Sequence, residues 1–331
     1  MNNHPPGPSD SASRLRWWVC LASLLVCLPY LLLKVAWVSG AGIGVSGGQA
    51  FNDATRVANV ITAGLEAAAI AVALAFVTPV GRCLPAFVIA FPVWIASGLL
   101  TPVVLGVVVG APVQLLTGGG NPFTGDEVLA PWVFGLVYGG FTAQALLLFI
   151  GFVLHARVRW PVATGGGRGD GGVAGATRGL QNLLGGVFML TAVGYAAVQL
   201  STAALGGGRF EEPQTSQRVL LVGAAALALA AAWAFARLAR GGRLTRHRVT
   251  MAWVGSAVVF SDALSQTLAT VAIEPGSWGA AAVGPGQATL MLLVLLGALA
   301  GSVGGALRLI HEEQPSSPAP ATSLGAVVPM P

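Results

Sequence analysis

Charge is what this chain has least of. Only 9% of its 331 residues are Asp, Glu, Lys or Arg, against about 25% in an average soluble domain, which excludes an ordinary water-soluble fold. There is one lysine, Lys34. The four histidines, His4, His155, His247 and His311, lie far apart, and the three cysteines, Cys20, Cys27 and Cys83, sit in or beside apolar runs. Neither set has metal-ligand spacing, and three cysteines build no disulfide framework. No H-E-x-x-H, phosphate-binding loop or G-x-S-x-G occurs, so an enzyme is the weakest functional class, and no cofactor or metal is expected. The net charge of +5 and pI near 9.7 do not argue for nucleic acid, because the arginines fall in short segments between apolar runs.

Apolar runs are what the chain has in abundance. It is 55% hydrophobic with a mean hydropathy of +0.76. A helix of about 20 apolar residues crosses a hydrocarbon core of about 30 Å. Eight such runs stand at 17–33, 57–76, 84–109, 131–154, 180–205, 219–236, 249–273 and 287–307. The first is long for a signal peptide and no convincing cleavage site follows, so it is expected to remain as a span. If every run crosses, 13 of the 17 basic residues fall on one side, among them Arg14, Arg82, Arg157, Arg178, Arg237, Arg248 and Arg308. The other side holds Asp53, Asp126, Glu127, Glu211, Glu212 and Glu274. By the positive-inside rule the arginine side is cytoplasmic, with both termini there. The expected protein is an all-α, eight-span bundle of the cell (inner or plasma) membrane. Its organisation reads as a disordered N-terminus (1–13), a first four-helix half (14–160), a Gly-rich linker (161–178), a second four-helix half (179–311) and a disordered tail (312–331).

The halves echo one another. Tyr30 with Lys34 matches Tyr195 with Gln199, Arg56 matches Arg218, and Trp94-x-x-Ser97 matches Trp253-x-x-Ser256, at offsets of 165, 162 and 159 residues. Four spans per half would make the repeats parallel, related by an axis along the membrane normal. The competing explanation is that Ala-rich helices align by composition alone.

Two carboxylates lie inside apolar runs. Glu66 shares a helix face with Thr55, Asn59 and Thr62, and Asp262 shares one with Ser265 and Gln266. A charge in lipid costs several kcal/mol, so each acid should face other helices. Thr191, Tyr195, Gln199 and Thr202 form a further stripe, and Gln144 lies mid-span. Asn59, Gln144, Tyr195, Gln199 and Gln266 are the expected partners of the acids. Two roles fit: a polar pocket or path that handles a solute, cation or proton, or hydrogen-bonding glue between helices. Lys34 lies about 26 Å along a helix from Trp17, where it is expected to snorkel to the outer interface beside an anchoring Trp37. Pro85, Pro92 and Pro102 punctuate the third span, and broken helices are common at transporter sites. Gly106-x-x-x-Gly110 and the series Gly297, Gly301 and Gly305 permit close helix approach, inside the bundle or against a second copy or membrane partner.

The stretch PYLLLKVAWVSGAGIG, carrying Pro29, Tyr30, Lys34, Trp37, Gly40, Gly42 and Gly44, resembles an opening motif of uncharacterised multi-pass membrane proteins of actinobacteria. The resemblance implies an inner-membrane helical protein and attaches no activity to it. Two functions stay open: a non-enzymatic structural or interaction subunit, and a small-solute or ion permease using Glu66 and Asp262. The topology is directly checkable. A reporter fused after Arg168 or Arg243 should read cytoplasmic and one after Gly119 or Glu212 extracytoplasmic; a cytoplasmic signal at Gly119 would break the eight-span arrangement.

Overall fold

The computed structural model describes residues 8–45, 53–120, 122, 129–159, 175–207, 212–240, 245–272 and 285–313. Eight long helices carry the fold: α1 (Pro8–Val38), α2 (Asp53–Val77), α4 (Ala86–Leu105), α6 (Pro131–Arg159), α7 (Gly175–Leu205), α8 (Thr215–Ala239), α9 (Arg246–Ala272) and α10 (Pro285–Glu313). A short α3 (Val80–Cys83) precedes α4, and a π-helical turn (Gly106–Gly110) continues α4 into α5 (Ala111–Leu116). Among the described residues the β-structure is confined to isolated single-residue bridges such as Val45 with Leu129.

Seven of these helices are long and apolar enough to cross a membrane. Large apolar side chains stand on their outer faces, among them Leu32, Phe87, Leu190 and Leu293, as a lipid-facing surface requires. The eighth long helix, α9, is less apolar and falls outside that set, and it is the more enclosed. Ala257, Val258, Val259 and Ala263 are fully buried, and α9 packs against α4, α8 and α10. A helix sheathed by other helices can carry serine, glutamine and aspartate where a lipid-facing one cannot.

The helix ends differ from the sequence expectation in three places. α1 begins at Pro8, inside the segment expected to be disordered (1–13). α7 begins at Gly175, inside the expected linker (161–178), and α10 runs to Glu313. The remainder of those segments lies outside the described residues. Of the three prolines of the third span, Pro85 is the N-cap of α4, while Pro92 and Pro102 lie within it. α1 stops where Gly40 takes φ +91°, and the Ala41 N–H closes back on the Ala36 carbonyl at 2.8 Å, a left-handed cap that glycine supplies without strain.

Each half makes the same ring of helices. α1 touches α2 and α6, and α4 touches the same two; α7 touches α8 and α10, and α9 touches the same two. The rings meet chiefly where α4 packs on α9. There the Trp94 Nε1–H donates to Ser256 Oγ at 3.1 Å and the Trp253 Nε1–H donates to Ser97 Oγ at 3.3 Å. Each tryptophan reaches into the other half's core. The Trp94 ring lies 4.7 Å from that of Phe260, and the Trp253 ring stacks 5.4 Å from that of Phe152, beside Ala73, Phe76 and Leu148. Between them Gly98 meets the Ala257 backbone so closely that no Cβ would fit.

The α10 glycines are used inside the chain. Gly297 faces Thr191, Gly301 faces Phe188 and Gly305 faces Phe235, so the series seats α10 on α7 and α8. Of the two placements expected for Gly297, Gly301 and Gly305, inside the bundle or against a second copy or membrane partner, these contacts are of the first kind. Gly106 and Gly110 likewise lie against Leu220 and Ser216 of α8. A Cβ on Gly301 would come within 2.5 Å of the fully buried Phe188 ring. Gly301→Leu should therefore lower stability by about 1–3 kcal/mol, read as a lower Tm of the detergent-purified protein with an unchanged oligomeric state. A variant of wild-type Tm that falls apart into smaller species would place the glycines at an intermolecular face instead.

Candidate functional site

The buried polar side chains gather in two clusters, one per half. The first is built on the antiparallel pairing of α1 with α2. As numbers rise on one helix they fall on the other: Cys20 bonds the Ala73 carbonyl, Cys27 meets Glu66, Tyr30 meets Thr62, and Lys34 meets Asn59. The rungs recur at intervals of one or two helical turns. Lys34 Nζ donates to Asn59 Oδ1 at 2.6 Å and lies 4.8 and 5.2 Å from the ring centres of Tyr30 and Trp37. Both rings hold the ammonium by cation–π attraction. About two turns deeper, the Glu66 carboxyl is hydrogen-bonded by Cys27 of α1 and by Gln144 of α6, and the charges of Glu66 and Lys34 are near enough to interact. Glu66 is 5% exposed, Lys34 7% and Gln144 3%.

Lys34 and Trp37 thereby depart from their expected place as outward interface anchors. Trp37 is 4% exposed, packed with Leu33 and Val133, and its Nε1–H donates to the Ile43 carbonyl at 2.8 Å. Both side chains point into the bundle, because Asn59, the two rings and the Glu66 charge together replace the water that snorkelling would otherwise seek.

The second cluster surrounds Asp262 of α9. Its Oδ2 accepts from Tyr195 Oη at 2.8 Å, Gln266 Nε2 at 3.1 Å and Gln199 Nε2 at 3.2 Å. Gln199 Nε2 also donates to Tyr195 Oη at 2.8 Å. Asp262 lines a cavity of about 260 Å³, together with Gly98, Pro102, Tyr195, Gln199 and Ser265. Ser265 itself bonds the Asp262 carbonyl at 2.9 Å. Pro102 has no N–H to give to the Gly98 carbonyl, so that carbonyl lacks its usual helical donor. The π-helical turn follows one turn later, and such turns recur at functional sites.

Of the residues expected at one polar site, the structure therefore brings Asn59, Thr62, Glu66 and Gln144 together in one place and Tyr195, Gln199, Asp262, Ser265 and Gln266 in another. The two acids do not share a cavity, since the lining at Asp262 comes from α4, α7, α8 and α9. Sequence reasoning overlooked Cys27 and the Tyr30–Lys34 face of α1 as partners of Glu66. The signal was present in the i, i+3, i+7 spacing of Cys27, Tyr30 and Lys34, which matches the polar stripe of α2. It also overlooked Gln114, which is 1% exposed and accepts from the Ser216 N–H at 3.1 Å, capping α8 from a neighbouring helix. Among the described residues no three His, Cys, Asp or Glu side chains assemble as a metal site.

Comparison with protein-family models, curated proteins and solved structures finds no match to this chain.

The Glu66–Lys34 network is testable as a unit. Lys34→Met leaves the buried Asn59 Oδ1 without its donor, at a cost of about 1–3 kcal/mol, and Glu66→Gln should cost less because an amide still bonds Gln144. The double variant should be more stable than the sum of the two by at least about 1 kcal/mol; strict additivity in reversible unfolding would show the charges to be uncoupled.

Proposed function

We propose that this chain is a membrane permease for a small solute, with Asp262 at the centre of its binding site. The observation that carries this is a carboxylate held by three side-chain donors on helices α7 and α9 that nonetheless lines a 260 Å³ cavity bounded by four helices. A purely bracing carboxylate gains nothing from an adjoining cavity, whereas a binding site needs both the void and a group fixed in orientation. The volume suits a solute of a few heavy atoms.

The finer topology belongs to the same reading. α9 has 27 residues, or about 40 Å at 1.5 Å per residue, and serves as an eighth crossing that lipid scarcely touches. With the arginine-rich ends cytoplasmic in a plasma membrane, both termini are inside. Gln199 lies near the end of α7 and Leu220 near the start of α8, so the cavity sits in the extracytoplasmic half of the bundle. Support for a parallel repeat of the two halves comes from the reciprocal Trp94–Ser256 and Trp253–Ser97 bonds, which a two-fold relation would generate together. Gly98 lies against Ala257, its own counterpart at the 159-residue offset, where the axis would pass.

A second reading, the non-enzymatic structural subunit, is favoured by the Glu66 network, whose side chains are buried within the first half. One experiment separates the two. A strain lacking the gene is complemented with wild type, Glu66→Gln and Asp262→Asn, and uptake and efflux of small solutes are profiled at equal membrane abundance. The permease reading expects Glu66→Gln to restore the wild-type profile and Asp262→Asn to leave at least one solute changed. Full restoration by Asp262→Asn would sink it in favour of the structural one.

A further inference from the structure

The outer face of α8 carries a second patterned surface. Val222, Ala226, Leu229 and Trp233 follow one another there at helical spacing, and all four are exposed. One turn further on come Arg237 and Arg240, both exposed as well. The stripe is thus apolar over about 16 Å and ends in two guanidinium groups. Arg237 stays close to the apolar part. Its guanidinium carbon lies 5.6 Å from the Trp233 ring centre, since helix side chains lean back toward the N-terminus. Attraction to a ring uses none of the guanidinium's five N–H donors. The surroundings are basic too. α7 runs antiparallel to α8, with the Phe188 and Phe235 rings 4.8 Å apart and Tyr195 and Ala224 lining one cavity, so Arg178 comes to the same end. Gly305 of α10 also faces Phe235, which brings the α10 C-terminus there. The segments 175–181, 237–248 and 308–313 carry one, five and one arginines against two acids, Glu312 and Glu313. Arginine is in excess however these groups pair among themselves.

We propose that this end of α8 binds an anionic phospholipid, its phosphate held by Arg237 and Arg240 and its chains laid along the stripe from Trp233 to Val222. Arginine suits the headgroup because its planar fork donates two parallel hydrogen bonds to a phosphate. The stripe selects a lipid among anions: a water-soluble phosphate gains nothing from 16 Å of apolar helix, and an acidic protein or a nucleic acid cannot follow it into the bilayer. The charge selects among lipids, since a zwitterionic headgroup brings its own cation to a place where arginine is already in excess. The positive-inside rule explains arginines at this end of the helices, but not two of them closing an apolar stripe above a tryptophan. α6 ends differently, for there the Arg159 guanidinium turns to the Leu84 carbonyl at 2.7 Å. The leaflet concerned is the one on the arginine side, cytoplasmic in the topology proposed above. The site is separate from the Asp262 cavity, to which α8 turns Leu220 and Ala224, and it does not depend on a permease function.

Three probes test this on the full-length protein purified in an uncharged detergent: dioleoyl phosphatidylglycerol, dioleoyl phosphatidylcholine and glycerol 3-phosphate. Each is titrated with Tm as readout, since a ligand of the folded state raises Tm by mass action. Phosphatidylglycerol should give a saturable rise of a few degrees and the other two none. The double variant Arg237→Gln, Arg240→Gln should lose at least half of that rise. The double variant Arg14→Gln, Arg16→Gln, which removes two exposed arginines from the start of α1, should keep it. Equal rises with the two lipids, or no rise with either, would overturn the anionic headgroup. A rise with glycerol 3-phosphate equal to that with phosphatidylglycerol would show a site for soluble anions and overturn the lipid. A full rise in the α8 variant, or an equal loss in the α1 variant, would overturn the placement on α8. The comparison of probes on wild type decides the chemical class even if a variant fails to fold.

Discussion

The contact between α4 and α9 is the constraint on which the rest of the bundle depends. Two rings of four helices have few ways to join when each must keep its lipid-facing side apolar. Here they join through a close approach in which Gly98 admits the Ala257 backbone and each ring sends a tryptophan across. An indole N–H inside a membrane needs an acceptor, because no water is at hand to replace it. Ser97 and Ser256 serve as those acceptors, so neither half satisfies its own tryptophan alone. The crossing also fixes which faces of α4 and α9 remain for the cavity. Gly98 and Ser261 lie on the seam and on the cavity lining at once. A shift of one helix against the other would therefore alter the site directly.

The first half shows how a membrane bundle tolerates two opposite charges. Lys34 and Glu66 are separated by two rungs of the α1–α2 pairing, and neutral polar groups lie between and around them. Asn59 takes the ammonium, Thr62 and Tyr30 occupy the middle, and Cys27 and Gln144 hold the carboxyl. Hydrogen bonds between membrane helices contribute about 0.6 kcal/mol each on average, too little to hold the helices by themselves. Their value here is in register. Sliding α1 by one turn against α2 would move Lys34 from Asn59 to Thr55 or Thr62 and carry Cys27 away from Glu66, so the polar groups specify one alignment out of several that apolar packing alone would accept.

Much of this was legible in the chain and some was not, for reasons that can be located. The helices were readable because lipid imposes length and composition on them. α9 was readable as a long apolar run despite its aspartate, although enclosure by α4, α8 and α10 makes it the least apolar of the long helices. That Asp262 would look for Tyr195, Gln199 and Gln266 followed from one stripe facing another. Lys34 was misplaced because a lysine near a helix end ordinarily snorkels, and only the facing of Asn59 and two aromatic rings shows that it does not. The division into two sites was not legible either: periodicity assigns a residue to a face, but not to a neighbour. The glycines of α10 met the same limit, since small residues admit a close partner without saying whose.

The difference between the clusters bears on how such a protein combines stability with binding. A site complementary to a free ligand is, without that ligand, a set of groups arranged for interactions they do not make, and it costs stability that the rest of the fold must supply. The first half encloses its lysine and its acid among neutral polar groups. The second half keeps its carboxylate oriented through three side-chain donors. Orientation rather than neutralisation is what a binding site requires, because a carboxylate held in place need not reorganise when the ligand arrives. The α4–α9 contact ties the two together: the closed ring holds one wall of the open one, through Trp94 and Gly98.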